Sequence, residues 1–79
     1  MPSIKVHLIF PEEMVKVPVI YNLGKKHSVV TNIRRANVDH KQGWVDLEIE
    51  GEEENLKNGI KYLESLGIDV NLIEGDIVE

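Results

Sequence analysis

Residues 44–50 read Trp-Val-Asp-Leu-Glu-Ile-Glu. Val45, Leu47 and Ile49 alternate with Trp44, Asp46, Glu48 and Glu50. A strict period of two marks a strand with one buried and one wet face. The apolar face of such a strand needs a second layer to cover it, so the rest of the chain must supply that cover.

The first segment repeats the signal. Ile4, Val6, Leu8 and Phe10 alternate with Lys5, His7 and Ile9, and Pro11-Glu12-Glu13 ends the run, because proline gives no ladder donor and carboxylates want water. Met14 to Val17 reads as a loop or the approach to a helix. Pro18 suits a first helical turn, and residues 18–27 place Ile20, Leu23, Gly24 and His27 at helical spacing, with Lys25 and Lys26 near the negative end of the dipole. Gly24 costs about 1 kcal/mol against alanine in a helix, and close packing against the sheet is the expected compensation.

Residues 29–39 read as a second strand. Residues 40–43 form a tight connection in which Gly43 is free to take a positive φ, and the strand over 44–50 then closes a hairpin. Residues 51–67 follow as a helix. Glu52, Glu53 and Glu54 favour its start, Leu56, Ile60 and Leu63 form a stripe joined by Gly59 and Leu66, and Gly67 stops it. The last strand, 68–74, turns Val70 and Leu72 inward, and a tail over 75–79 is free to extend the sheet.

The order strand, helix, strand, strand, helix, strand, with right-handed crossovers, predicts an α+β ferredoxin-like sandwich: four antiparallel strands with both helices on one face. With 79 residues, 1–79 is read as one domain. A domain this small buries only about 60% of its unfolded surface, so a second copy or a partner would help it. A hydrophobic share of 42% and a charged share of 29% are those of a globular chain.

Composition then removes function classes. There are no cysteines, which excludes disulfides, thiolate metal sites, iron–sulfur ligation and cysteine nucleophiles, and fits a reducing, cytoplasmic setting. No apolar run approaches a membrane span, and Lys5 and His7 interrupt the only N-terminal apolar run, so neither membrane insertion nor a signal peptide is expected. A net charge of −5 argues against a nucleic-acid partner. So does the wet face of the sheet, where Trp44 is the one aromatic beside Asp46, Glu48 and Glu50.

His7, His27 and His40 lack zinc spacing, and Glu52–Glu54 reads as a solvated helix start, so no metal is expected. There is no serine elbow and no glycine-rich phosphate loop. The loop after the first strand, Pro-Glu-Glu-Met-Val-Lys, is acidic where an anion-cradling loop with arginine would be needed. The chain is therefore read as neither an enzyme nor a holder of a cofactor.

A small-ligand or protein-binding module remains, and residues 31–38, Thr-Asn-Ile-Arg-Arg-Ala-Asn-Val, bear on it. Asparagine is depleted in strands, yet its amide donates and accepts at once, which suits a zwitterionic amino acid. Arginine grips a carboxylate at two points. Parity puts Asn32 and Arg34 on one face and Ile33 on the other, inward. A bulge near 34–35 would let both Arg34 and Arg35 escape the core and return Ala36 and Val38 inward. The competing reading is an edge strand guarded by charge against aggregation. The candidate ligand residues are Asn32, Ile33, Arg34, Arg35 and Asn37.

The same residues resemble the NIL domain family, named for an Asn-Ile-Leu motif on its second strand, which reads Asn32-Ile33-Arg34 here. Val-Pro-Val-Ile-Tyr-Asn-Leu-Gly-Lys-Lys-His before the motif is similar to the family's proline-led helix. Gln-Gly-Trp-Val-Asp-Leu-Glu-Ile-Glu-Gly and the helix ending Asn-Gly-Ile-Lys-Tyr-Leu-Glu-Ser-Leu-Gly are similar to its second half, so the likeness covers roughly residues 3–75. It implies a ferredoxin-like regulatory domain of methionine ABC transporter ATPase subunits, or of ferredoxin-type proteins of sulfur metabolism. It also implies methionine or a related sulfur amino acid as ligand, pairing as a homodimer, and a transporter ATPase or an iron–sulfur protein as partner. In this likeness Asn32 bonds the ligand's polar end, Ile33 packs beneath it, and Arg34 or Arg35 pairs its carboxylate. Arg34 departs from the apolar third motif residue. The alternative is a non-catalytic interaction or dimerisation module without a small ligand, with Trp44 and the second strand as its contact.

Overall fold

The computed structural model describes residues 2–39 and 41–75. Strands β1 (Ser3–Phe10), β2 (Val30–Val38), β3 (Gly43–Glu50) and β4 (Asp69–Gly75) form one sheet in the order β2-β3-β1-β4. Every neighbouring pair runs antiparallel. Helices α1 (Val19–His27) and α2 (Glu53–Ser65) connect the strands and cover one face. This is the expected α+β ferredoxin-like sandwich.

The alternation in the sequence builds the core directly. Ile4, Val6 and Leu8 of β1 lie opposite Ile49, Leu47 and Val45 of β3. Six apolar side chains thus share one face. Val19 and Leu23 of α1 and Leu56 and Leu63 of α2 close over them, with Phe10, Val29 and Ile68 at the margins. The helices meet tightly. A Cβ on Gly59 would stand 3.0 Å from Leu23 Cδ1, and one on Gly24 would stand 3.2 Å from the carbonyl oxygen of Val29. Gly24 does allow a close approach, but to the link that enters β2 rather than to the sheet expected.

Several local expectations are corrected. Pro18 is the residue before α1 rather than part of its first turn, and a 3-10 turn, Glu12–Met14, fills the approach. Gly43 is not the positive-φ residue of the hairpin. Among the described residues only Ser28 and Gly67 have positive φ, and Gly67 does end α2 as anticipated. Gly43 is a buried strand residue, and a Cβ there would come within 3.3 Å of Val38 Cγ2. The connection is organised by Asp39 instead, whose Oδ1 accepts the backbone N–H groups of Lys41 and Gln42, both at 2.8 Å. Those two bonds hold the Asp39 carboxyl below its usual range.

Leu72 lies opposite core-facing Val6, yet it is 54% exposed, because β4 is an edge strand that extends past its cover. Val70 does pack against the core. The anticipated tail beyond Gly75 lies outside the described residues.

Candidate functional site

β2 is the other edge of the sheet, and it carries all five candidate residues. Its register against β3 sorts them. Thr31, Ile33, Ala36 and Val38 lie opposite Ile49, Leu47, Val45 and Gly43, on the helix-covered side. Val30, Asn32, Arg35 and Asn37 lie opposite Glu50, Glu48, Asp46 and Trp44, on the open side. The register shifts between Ile33 and Arg35, with Arg34 as the extra residue. This is the expected bulge, and it lets two successive arginines reach the same face.

The expectation of inward burial fails on β2. Ile33 is 58% exposed and Val38 56%, although both are on the helix-covered side. The helices lie over β1 and β3 and leave the edge bare. Ile33 therefore packs beneath no site within one chain.

The arginines are already engaged. Arg35 donates to Asp46 Oδ2 through Nε at 3.0 Å and Nη2 at 2.8 Å. Arg34 reaches Glu48 Oε1 at 3.2 Å. On the other side of Asp46, Oδ1 stands 2.5 Å from His7 Nδ1. A carboxylate only accepts, so His7 carries a proton on Nδ1. Trp44 leans over this row: its ring stacks on His7 at 5.3 Å between centroids, and the Arg35 guanidinium sits 5.9 Å from it. Under that cover Asp46 is only 6% exposed, despite lying on the open face. The hydrogen bond from His7, aided by Arg35 and opposed by burial, holds the Asp46 carboxyl below its usual range. The cluster ties β2, β3 and β1 together across the open face. No group of metal-ligating side chains converges among the described residues.

The sequence reading missed a second feature. On the helix-covered side, an apolar pocket of about 200 Å³ opens between the chain leading into α1 and the far end of the hairpin. Val15, Val17, Pro18, Ile20 and Tyr21 form one wall; Phe10, Val38, Gly43 and Val45 form the other. Its sequence signal was the stretch Met-Val-Lys-Val-Pro-Val over 14–19, a connection richer in valine than a solvated loop requires. The first turn of α1, which lines the pocket, has no side-chain cap. The backbone N–H groups of a first turn lack intrahelical partners and favour an anion.

The structure does not bring the five candidates together with the pocket. Asn32 and Val38 are about 20 Å apart along the strand, at roughly 3.3 Å per residue, and lie on opposite faces. Asn37 is adjacent to Val38 in sequence but points to the open side.

The family model of the NIL domain matches residues 5–78. Among solved structures, the C-terminal domain of an ABC transporter ATP-binding protein from Enterococcus faecalis is similar, with a TM-score of 0.78 and 25% identity over 92% of this chain and 86% of that one. No curated protein sequence matches the chain. No helix among the described residues is long and apolar enough to cross a membrane.

Proposed function

The chain belongs to the NIL domain family, and from that premise we propose that it is a non-catalytic, cytoplasmic regulatory domain that binds methionine or a related sulfur amino acid. It pairs with a second copy of itself and acts on a transporter ATPase or a sulfur-metabolism protein such as a ferredoxin. The likeness to the C-terminal domain of a transporter ATP-binding protein supports the first kind of partner.

The observation that carries the ligand reading is the apolar pocket. An unbranched thioether suits an irregular apolar cavity, and its sulfur packs well beside aromatic rings, here Phe10 and Tyr21. The first turn of α1 beside the pocket has no side-chain cap; its Val19 N–H donates to the Val17 carbonyl at 2.7 Å and its Asn22 N–H to that of Pro18, which leaves the N–H groups of Ile20 and Tyr21 for a carboxylate. Asn32 and Asn37 present exposed amides on the open face, the opposite side of the sheet from the pocket, and so hold no end of a ligand seated there. Arg34 and Arg35 add charge only by leaving Glu48 and Asp46, and Ile33 adds apolar surface where a second copy covers it. Coupling to a partner requires that the ligand bind one arrangement of the domains better than another.

Thermal unfolding with methionine, homocysteine and unrelated amino acids tests this. A ligand at 100 times its Kd adds about 2.7 kcal/mol, which for a domain of this size raises the midpoint by roughly 10 °C or more. The shift should be selective for methionine or a close relative. Val17→Asp, which puts a charge into the pocket wall, should abolish it, and Asn32→Ala, on the opposite face of the sheet, should leave it in place. Flat midpoints across the panel refute the ligand reading.

The second reading, an interaction module without a small ligand, is favoured by the exposed apolar side chains on both sheet edges, Val30, Ile33 and Val38 on β2 and Leu72 and Ile73 on β4. Flat midpoints together with concentration-dependent self-association would favour it.

A further inference from the structure

We infer that the hollow where α2 gives way to β4 is a docking site for a basic segment of a partner protein, with an arginine of that segment seated beside Glu64 and Asp69. The hollow shares no lining residue with the apolar pocket, so the inference stands whether or not that pocket takes a ligand.

The hollow has a volume of about 520 Å³. Ile9 and Val70 give it apolar surface, Asn71 an amide, and Glu64 and Asp69 its charge. A second hollow of about 290 Å³ adjoins it, because Ile9, Gly67 and Asp69 line both. Gly67 at their junction has positive φ, and a Cβ there would meet nothing within 4 Å. The space is therefore open, and two adjoining hollows hold more than one side chain, as an extended segment requires.

The charge in the first hollow is of one sign, and the fold does not use it. Glu64 and Asp69 are exposed, and among the described residues neither forms an ion pair or a side-chain hydrogen bond. Lys61, three positions before Glu64, does not pair with it. Both carboxylates stand at the C-terminal end of α2, where the helix dipole disfavours negative charge. α1 shows the favourable arrangement: Lys25, Lys26 and His27 occupy its last turn, whereas the last turn of α2 has no basic residue. The carbonyls of that turn are not what the hollow offers, since those of Tyr62, Leu63 and Glu64 already accept bonds from Ser65 Oγ, the Ile68 N–H and the Gly67 N–H. The two carboxylates are thus placed against the interest of their own helix and left for another molecule to meet.

Arginine fits this mixture best. Its guanidinium pairs carboxylates through several donors, and its stem lies along apolar surface such as Ile9 and Val70. A metal ion is a poorer occupant, because no three metal-ligating side chains converge among the described residues. Lys41 is the one cation lining either hollow, and it lines the second. The basic residue of the segment therefore belongs beside α2, and a polar or acidic one beside Lys41.

A capped peptide, Gly-Val-Arg-Val-Gly, is titrated into the isotope-labelled chain at low ionic strength, and the backbone amides are followed by NMR. Two controls replace its arginine by citrulline, which keeps the shape and loses the charge, and by glutamate. Saturable shifts should centre on Gly67, Asp69 and Asn71. Citrulline should bind roughly ten-fold more weakly, as the loss of a charge-assisted contact implies, and the glutamate peptide should not bind. The double variant Glu64→Gln with Asp69→Asn should lose the response to arginine while its thermal midpoint stays at or above that of the parent, because the removed charges oppose the dipole. Citrulline binding as well as arginine, shifts centred elsewhere, or no shift at millimolar peptide overturns the site. A double variant that melts below the parent also overturns it, since the carboxylates would then serve the fold. Spermidine producing the same shifts as strongly as the peptide would give the hollow to a free amine and overturn the protein segment as its occupant.

Discussion

β1 and β2 are strands of similar length that each turn a set of side chains toward the helices, and the fold treats those sets in opposite ways. β1 buries Ile4, Val6, Leu8 and Phe10, none more than 7% exposed. β2 leaves Ile33 at 58% and Val38 at 56%. Both sets lie on the helix-covered side. The difference is place in the sheet: β1 has β3 and β4 beside it and helices above it, whereas β2 has one neighbour and little cover. A period of two thus tells which side a residue takes, and position tells whether that side is dry. The apolar side of β1 stabilises the chain; that of β2 stays exposed.

The largest expected effect breaks this comparison if it fails. Leu8→Ala should cost about 2–5 kcal/mol, as large-to-small changes in a packed core do. Ile33→Ala, measured dilute enough for the chain to be monomeric, should stay within about 1 kcal/mol. Urea unfolding of both variants checks it, and equal losses would mean that β2 is buried in the isolated chain.

The next prediction concerns the tie between the two strands. Asp46 holds His7 of β1 and Arg35 of β2 together, and its carboxyl is held below the ordinary range. A carboxyl with a lowered folded-state pKa contributes stability that is complete above about pH 4, the ordinary aspartate value, and is lost as pH falls through the folded-state value. Asp46→Asn should lower the thermal midpoint at neutral pH and flatten its fall below about pH 4. A variant whose acid profile overlays that of the parent would show that the tie carries no pH-dependent stability.

The smallest expected effect lies on the edge itself. Arg34→Ala removes an exposed ion pair to Glu48 and should cost between zero and about 1 kcal/mol in one chain, less in high salt. Urea unfolding in low and in high salt checks it, and a loss well above about 1 kcal/mol would show that Arg34 does more than pair with Glu48.

Much of this was legible in the sequence. The strand and helix order, the one-sided core of β1 and β3, the bulge between Ile33 and Arg35, and the stop at Gly67 all follow from periodicity and turn chemistry, which are local properties. The site was less legible. The inward burial read for Ile33 and Leu72 failed because cover is supplied by elements distant in sequence. Gly43 was read as a turn residue because glycine permits positive φ, but only the hairpin shows Val38 pressed against it. Asp46 read as one wet carboxylate among three. Its burial beneath Trp44 needs the register that sets it between His7 and Arg35, residues 39 and 11 positions away.

What the sequence by itself determined is therefore the set of elements, their order, and the side that each residue takes. Steric alternation, helical period and chain stiffness act over a few residues and leave their mark in the string. What only the tertiary structure decided is which of the strand sides facing the helices are dry, where the pocket opens, and that a bulge brings Arg34 and Arg35 to one face. Those depend on helix placement and strand neighbours, contacts between residues far apart in the chain, which become definite only when the whole sheet and its cover are assembled.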